Sequence, residues 1–301
     1  MTLQTLNFTA YLQQKGIIPK TIARHEREVT KYENWLQDNC TKNGENATQK
    51  DLLNYLKHIK EKRQLQNVSL SKILRILKNY YQYLAKEYGT KNITAHLKIR
   101  GTNRKRLQAL FTPDELNLLC DAYYYYIQEY QPTTKEIQHY SNYDKLLQGR
   151  YIALTLIAYQ GLQTKEILTL TKADFDLRKA TVQIHAGITG ASRTLPLDAS
   201  QIGVIIQHFD NETSSIIPNL NQLEKLSKTL KELTQKPSTS ITKFENFRQI
   251  RASKITHWIK LHGLRKAQHL AGHKNIQGTE NYLINDVENL QNDLNNFHPL
   301  S

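Results

Sequence analysis

The stretch LAGHKNIQGTENY, Leu270–Tyr282, orders the rest of the chain around it. A turn of small residues leads into His273, and Tyr282 follows nine positions later. Twenty-two residues before His273 stands Arg251, inside FRQIRAS (247–253), which opens a basic helix and also carries Arg248. These are the groups needed to move a phosphodiester onto a protein. A phenol attacks phosphorus, guanidiniums neutralise the equatorial oxygens, and an imidazole hydrogen-bonds or manages a proton.

Charge points to the same polyanion. The chain of 301 residues carries a net charge of +14, spread unevenly. Residues 1–106 hold 21 Lys and Arg against 8 Asp and Glu, whereas the remainder holds 20 against 19. An N-terminal third this basic suits a phosphate backbone, because each neutralised phosphate releases a counterion. Cys40 and Cys120 lack metal-ligand spacing and read as thiols of a reducing cytosol. The N-terminus lacks the basic start and unbroken apolar run of a signal peptide, and no segment approaches the length of a membrane span. The expectation is a cytoplasmic protein that needs no membrane.

Apolar periodicity predicts four helices in the first hundred residues. Phe8, Tyr11 and Leu12 mark the first. The second starts near Pro19, and the third at Thr48 with Asp51 three residues on as an acidic capping box. The fourth starts at Ser69 or Ser71 and runs through Leu84. Residues 1–97 are thus expected to form a basic helical domain suited to a polyanion. Its candidate phosphate ligands are Lys57, Lys60, Lys62 and Arg63 on the third helix, and Lys72, Arg75 and Lys78 on the fourth. A basic linker over 98–109, holding Arg104, Lys105 and Arg106, leads to a second domain over 110–301. That domain opens on LFTPDELNLL, where Thr112 and Glu115 make a capping box around Pro113. YIALTLIAY (151–159) reads as a buried helix, followed by a small β-hairpin in which a strand at 180–184 returns as RTLPL. The fold expected is mainly α, with one small sheet.

With these segments in place, the chain resembles the tyrosine site-specific recombinases, or phage-type integrases, over most of its length. GLQTKEILTLTKADFD (161–176) resembles the family's first box, aligning Gly161, Leu162, Glu166, Leu170, Asp174 and Asp176. FRQIRASKITHWI resembles the second box, with Arg251 at the arginine position, and LAGH brings His273 into register. Tyr282 then falls at the nucleophile's spacing. The resemblance implies a four-helix core-binding domain, a mostly helical catalytic domain, cleavage of double-stranded DNA through a 3′-phosphotyrosyl link, and a synaptic tetramer. It implies neither metal nor cofactor. Three positions depart from the pattern. Gln163 stands where the family has arginine, Arg248 replaces a histidine, and the turn GITGASR offers Ile188 and no lysine. A glutamine brings neither charge nor a bidentate fork. Arg248, three residues from Arg251, either supplies the missing guanidinium or only contacts the DNA backbone, and Arg193 could bring a second positive charge near the leaving oxygen.

The main expectation is therefore a recombinase using Tyr282, Arg251, His273 and Arg248. The alternative is a DNA-binding relative with attenuated catalysis, acting as an accessory or regulatory factor. The tail after Tyr282 carries Val287, Leu290, Leu294 and Phe297 at helical spacing, a stripe suited to docking on a neighbouring copy or on its own domain. His257, His262 and His269 show no metal constellation, and no phosphate-binding glycine loop is present.

Overall fold

In the computed structural model, residues 3–101, 109–139, 142–187, 190–209, 215–217, 219–235 and 241–283 are described. The chain divides into two compact units, Met1–Arg106 and Leu107–Ser301. Each has its own hydrophobic core.

The first unit is built from α1 (Leu3–Gln14), α2 (Pro19–Cys40), α3 (Gln49–Lys62) and α4 (Asn67–Tyr88). Pro19 begins α2, where its missing N–H forfeits nothing. Thr48 and Asp51 close the capping box of α3, the Thr48 N–H donating to Asp51 Oδ2 at 2.8 Å. α4 starts two residues before Ser69, the first of the two serines expected to open it, because the Gln66 carbonyl accepts from both Ser69 and Leu70. The Phe8 ring meets Tyr80 edge-on and Tyr83 at a tilt, both at 5.3 Å, and the buried Tyr32 and Tyr81 hydroxyls satisfy each other at 2.7 Å. Leu53, placed one residue off the apolar stripe of α3, is 48% exposed. Ile99 packs against this core, and Asn67 donates to the Arg100 carbonyl. Arg104, Lys105 and Arg106 lie outside the described residues.

The second unit is organised on α7 (Tyr143–Tyr159), in which every residue from Tyr151 to Ala158 is buried. A helix apolar all round belongs at the centre of a domain. α5 (Pro113–Glu129), α6 (Thr134–His139), α8 (Thr164–Ile167), α9 (Ala199–His208) and α10 (Leu220–Gln235) accompany it. The sheet is antiparallel, in the order β1 (Phe175–Asp176), β2 (Thr181–Ile184), β3 (Arg193–Pro196). The sequence predicts only its hairpin, since the two residues of β1 are too few to show alternation. Val182 pairs with Leu195 on the buried face, and Arg193 also points inward. Among the described residues, no helix is long and apolar enough to cross a membrane.

α11 (Phe247–Ala271) is interrupted at Gly263, whose φ of 78° and ψ of 168° are not helical. The break turns the chain so that Ala267 and Ala271 pack against Ile255 and Trp258, with Tyr282 beside them. α12 (Gln277–Glu280) is a single turn carrying the chain from His273 to Tyr282.

Candidate active site

Arg251 enters from the second turn of α11 and is 6% exposed. Its guanidinium donates to the Gly161 and Ala271 carbonyls, the latter at 2.7 Å, so it joins the end of α7 to the end of α11. Gly161 must be glycine: its φ is +58°, and a Cβ would meet the Trp258 ring at 3.0 Å. Burial pulls the Arg251 pKa down, and the Glu166 carboxylate 4.0 Å away opposes that pull. The guanidinium faces the Tyr282 hydroxyl.

Glu166 is held by a buried arginine. Arg193, 3% exposed on β3, grips both its oxygens at 2.8 and 2.9 Å, a bidentate pair. Glu166 also accepts from the Gln163 N–H at 2.7 Å, fixing the turn at the start of α8. Burial pushes the Glu166 carboxyl up, but Arg193, the Gln163 N–H and Arg251 reverse this and hold it below its usual range. The expectation that Arg193 serves the leaving oxygen is thereby corrected: its charge is consumed by Glu166, because an inward-facing charge on a strand needs a partner.

His273 follows Gly272, whose φ of +69° ends α11. Its Nδ1 lies 2.8 Å from Thr279 Oγ1, and its Nε2 lies 3.3 Å from Arg251 Nη2. Arginine only donates, so Nε2 is the acceptor and Nδ1 carries the hydrogen. Burial first, then the Arg251 and Arg193 charges, lower the His273 pKa to about 4. The imidazole is neutral at pH 7. Tyr282 lies parallel to it, with ring centroids 5.9 Å apart and 6° between planes.

These groups line one cavity of about 450 Å³, together with Leu162, Gln163, Thr164, Lys165, Phe247 and Arg248. Its described lining holds three cations and no carboxylate. Arg248 is exposed where Arg251 is buried, yet both open onto the same space. Such a cavity is positively charged and has a phenol in its wall.

The phage integrase N-terminal SAM-like domain matches residues 6–88, and the phage integrase family matches residues 130–289. The chain belongs to the phage integrase family. Its class of function is site-specific DNA recombination. Phage-integrase relatives include tyrosine recombinase XerA of Thermococcus kodakarensis, 24% identical over 94% of this chain and 91% of that protein. The TnP I resolvase of Bacillus thuringiensis is 21% identical over 90% of this chain and 92% of its own. The fold is shared with the Tn1549 transposon integrase solved with transposon right-end DNA, at TM-score 0.65, 15% identity and 94% coverage of both chains. It is shared also with XerH bound to palindromic difH, at TM-score 0.65 and 16% identity, covering 95% of this chain and 83% of that one.

In this integrase the first unit carries a second feature, a groove of about 770 Å³ between α2 and α4. Lys20, Arg24, Arg27, Lys72 and Arg75 line it, and all five are exposed. Of the residues singled out from sequence, Lys72 and Arg75 are here. Lys78 is half-buried outside the groove lining, Lys57, Lys60 and Lys62 project from α3, and Arg63 pairs with Glu28 at 3.4 Å. The α2 cations are missed in the sequence, although Lys20, Arg24 and Arg27 recur at i, i+4 and i+7 on one helix face. Lys165 and Thr164 in the cavity are missed as well, since neither falls on a family position. Ile188 and the 286–301 tail lie outside the described residues. Among the described residues, no group of three His, Cys, Asp or Glu side chains is arranged to hold a metal.

Proposed function

We propose that this integrase cuts and rejoins double-stranded DNA through a 3′-phosphotyrosyl link at Tyr282. One observation carries the proposal: Tyr282 stacks on a neutral His273 and faces a buried Arg251 in a single carboxylate-free cavity. The phenol oxygen attacks phosphorus and the 5′-oxygen leaves. Arg251, preorganised by two backbone carbonyls, neutralises the non-bridging oxygens as charge develops. As Arg251 turns its Nη2 hydrogen from His273 to the phosphate, the Nε2 lone pair is released to accept the phenol proton. Arg248 supplies from the cavity rim the guanidinium that Gln163 lacks. A 5′-hydroxyl from the partner strand reverses the link and conserves the bond energy, so no nucleotide is spent.

The groove of α2 and α4 is the surface we assign to the DNA backbone, with residues 1–97 as clamp, 98–109 as linker and 110–301 as catalytic domain. Exchange between two duplexes takes four strand transfers, and each chain carries one Tyr282. A synaptic tetramer follows from that stoichiometry.

A nicked duplex tests the chemistry, because the fragment downstream of the break diffuses away and traps the covalent state. The duplex is selected from a random-sequence pool by binding to the full chain. Wild type is expected to give a denaturant-stable adduct and Tyr282→Phe none. Equal binding by both with no adduct from either assigns the chain to the accessory, non-catalytic role.

A further inference from the structure

Breaking the P–O5′ bond requires a proton for the departing oxygen, and the cavity wall limits where it comes from. Arg248 and Arg251 hold their protons too tightly to be acids. The Gln163 amide N–H is far too weak an acid, and the Thr164 hydroxyl is no stronger an acid than the alcohol it would protonate. His273 has its one N–H turned to Thr279, away from its Nε2 acceptor face. Tyr282 is the nucleophile.

Lys165 remains. Its side chain lines the same cavity as Arg251, His273 and Tyr282, two residues beyond Gln163, and the residue is exposed. No salt bridge engages it among the described residues. Glu166, the adjacent carboxylate, is taken up by Arg193 and the Gln163 N–H. An ammonium on a four-carbon stem is compact, mobile and able to give up a proton, unlike a guanidinium.

We propose that Lys165 is the general acid of this integrase, protonating the 5′-oxygen as Tyr282 attacks. The inference rests on the phosphotyrosyl function above. In the forward step the Tyr282 O–P bond forms and the P–O5′ bond breaks. The phenol proton passes to His273 Nε2, and an ammonium proton passes to O5′. In the rejoining step the Lys165 amine takes the proton from the attacking 5′-hydroxyl, and His273 returns its own to the phenolate. No further reactant is needed.

Replacing the 5′-bridging oxygen by sulfur provides the test, since a thiolate departs without a proton. The full chain is given the selected nicked duplex as a series, each member with one bridging sulfur, beside the all-oxygen duplex. On oxygen, Lys165→Ala and Lys165→Arg are expected to slow adduct formation by about 10²- to 10⁴-fold. On the reactive sulfur member, both are expected to match wild type. The assignment is overturned if Lys165→Ala keeps the wild-type rate on oxygen, or if its defect persists on sulfur, which marks a phosphate clamp instead. It is overturned equally if Lys274→Ala shows the sulfur-rescued defect, Lys274 being the lysine that donates to the Gly187 carbonyl beside the β2–β3 turn. A wild type that labels neither series overturns the phosphotyrosyl function and Lys165 with it. A wild type active on oxygen confines any failure to Lys165.

Discussion

His273 is neutral because burial first, and then the Arg251 and Arg193 charges, disfavour its protonated form, and that has a measurable consequence. Its pKa is lowered to about 4 in the folded chain, against 6.5 for the free side chain. Between those values the unfolded chain binds a proton there that the folded chain does not, so stability falls as pH is lowered through this window. His273→Asn removes the effect. Thermal melts between pH 7 and pH 4.5 are expected to show a smaller drop in Tm for the variant than for wild type. Equal drops would mean that His273 is charged or free in the folded state. Gln163 is the other residue that sets this site apart. A phosphate clamp without its guanidinium forfeits about 3–4 kcal/mol of transition-state stabilisation, a hundredfold to a thousandfold in rate. Arg248 and Lys165 put positive charge back into the same cavity from the two neighbouring elements.

The turn between α11 and α12 shows how elements hold these residues. The Gly272 carbonyl accepts from the Ala191 N–H at 2.9 Å, and Gly190 bridges to His273, so the returning side of the β2–β3 turn is tied to the histidine. A Cβ on Gly272 would lie 2.8 Å from Arg193 Cζ, in a backbone conformation that side chains avoid. Gly272→Ala is expected to destabilise the second unit by at least about 1 kcal/mol, read as a lower urea midpoint, and to slow adduct formation by displacing Arg193 from Glu166. An unchanged midpoint would show that the turn has slack. Much of this is legible in the sequence. Helix starts at Pro19, Thr48 and Thr112 announce themselves because capping chemistry is local, and the apolar run at 151–159 announces a buried helix. Arg251, His273 and Tyr282 are legible through their register with the family's boxes. The engagement of Arg193 is not, because it depends on a strand facing inward toward a residue 27 positions away. Lys165 is hidden for a similar reason: only the fold brings the start of α8 to the same cavity as α11 and Tyr282.

For the whole molecule, charge and chemistry are divided between the two units. The surplus of the first unit is gathered in part into one groove, with Lys20, Arg24 and Arg27 on α2 opposite Lys72 and Arg75 on α4. A surface of this kind binds by counterion release, so affinity falls steeply with salt. The double variant Arg24→Ala, Arg75→Ala is expected to flatten log K against log[salt] by about 0.9 for each phosphate it leaves unneutralised. It should also weaken binding to selected and random duplexes alike. A slope that stays the same would move the DNA-binding face off this groove.

On this reading one tyrosine, Tyr282 of the 17 in the chain, carries DNA. Trimming the trapped adduct with nuclease and protease and sequencing the modified peptide by mass spectrometry identifies the residue. A single nucleotide-bearing peptide is expected, with the added mass on Tyr282 and no counterpart from Tyr282→Phe. A nucleotide on any other residue, or an adduct that survives Tyr282→Phe, would contradict the claim.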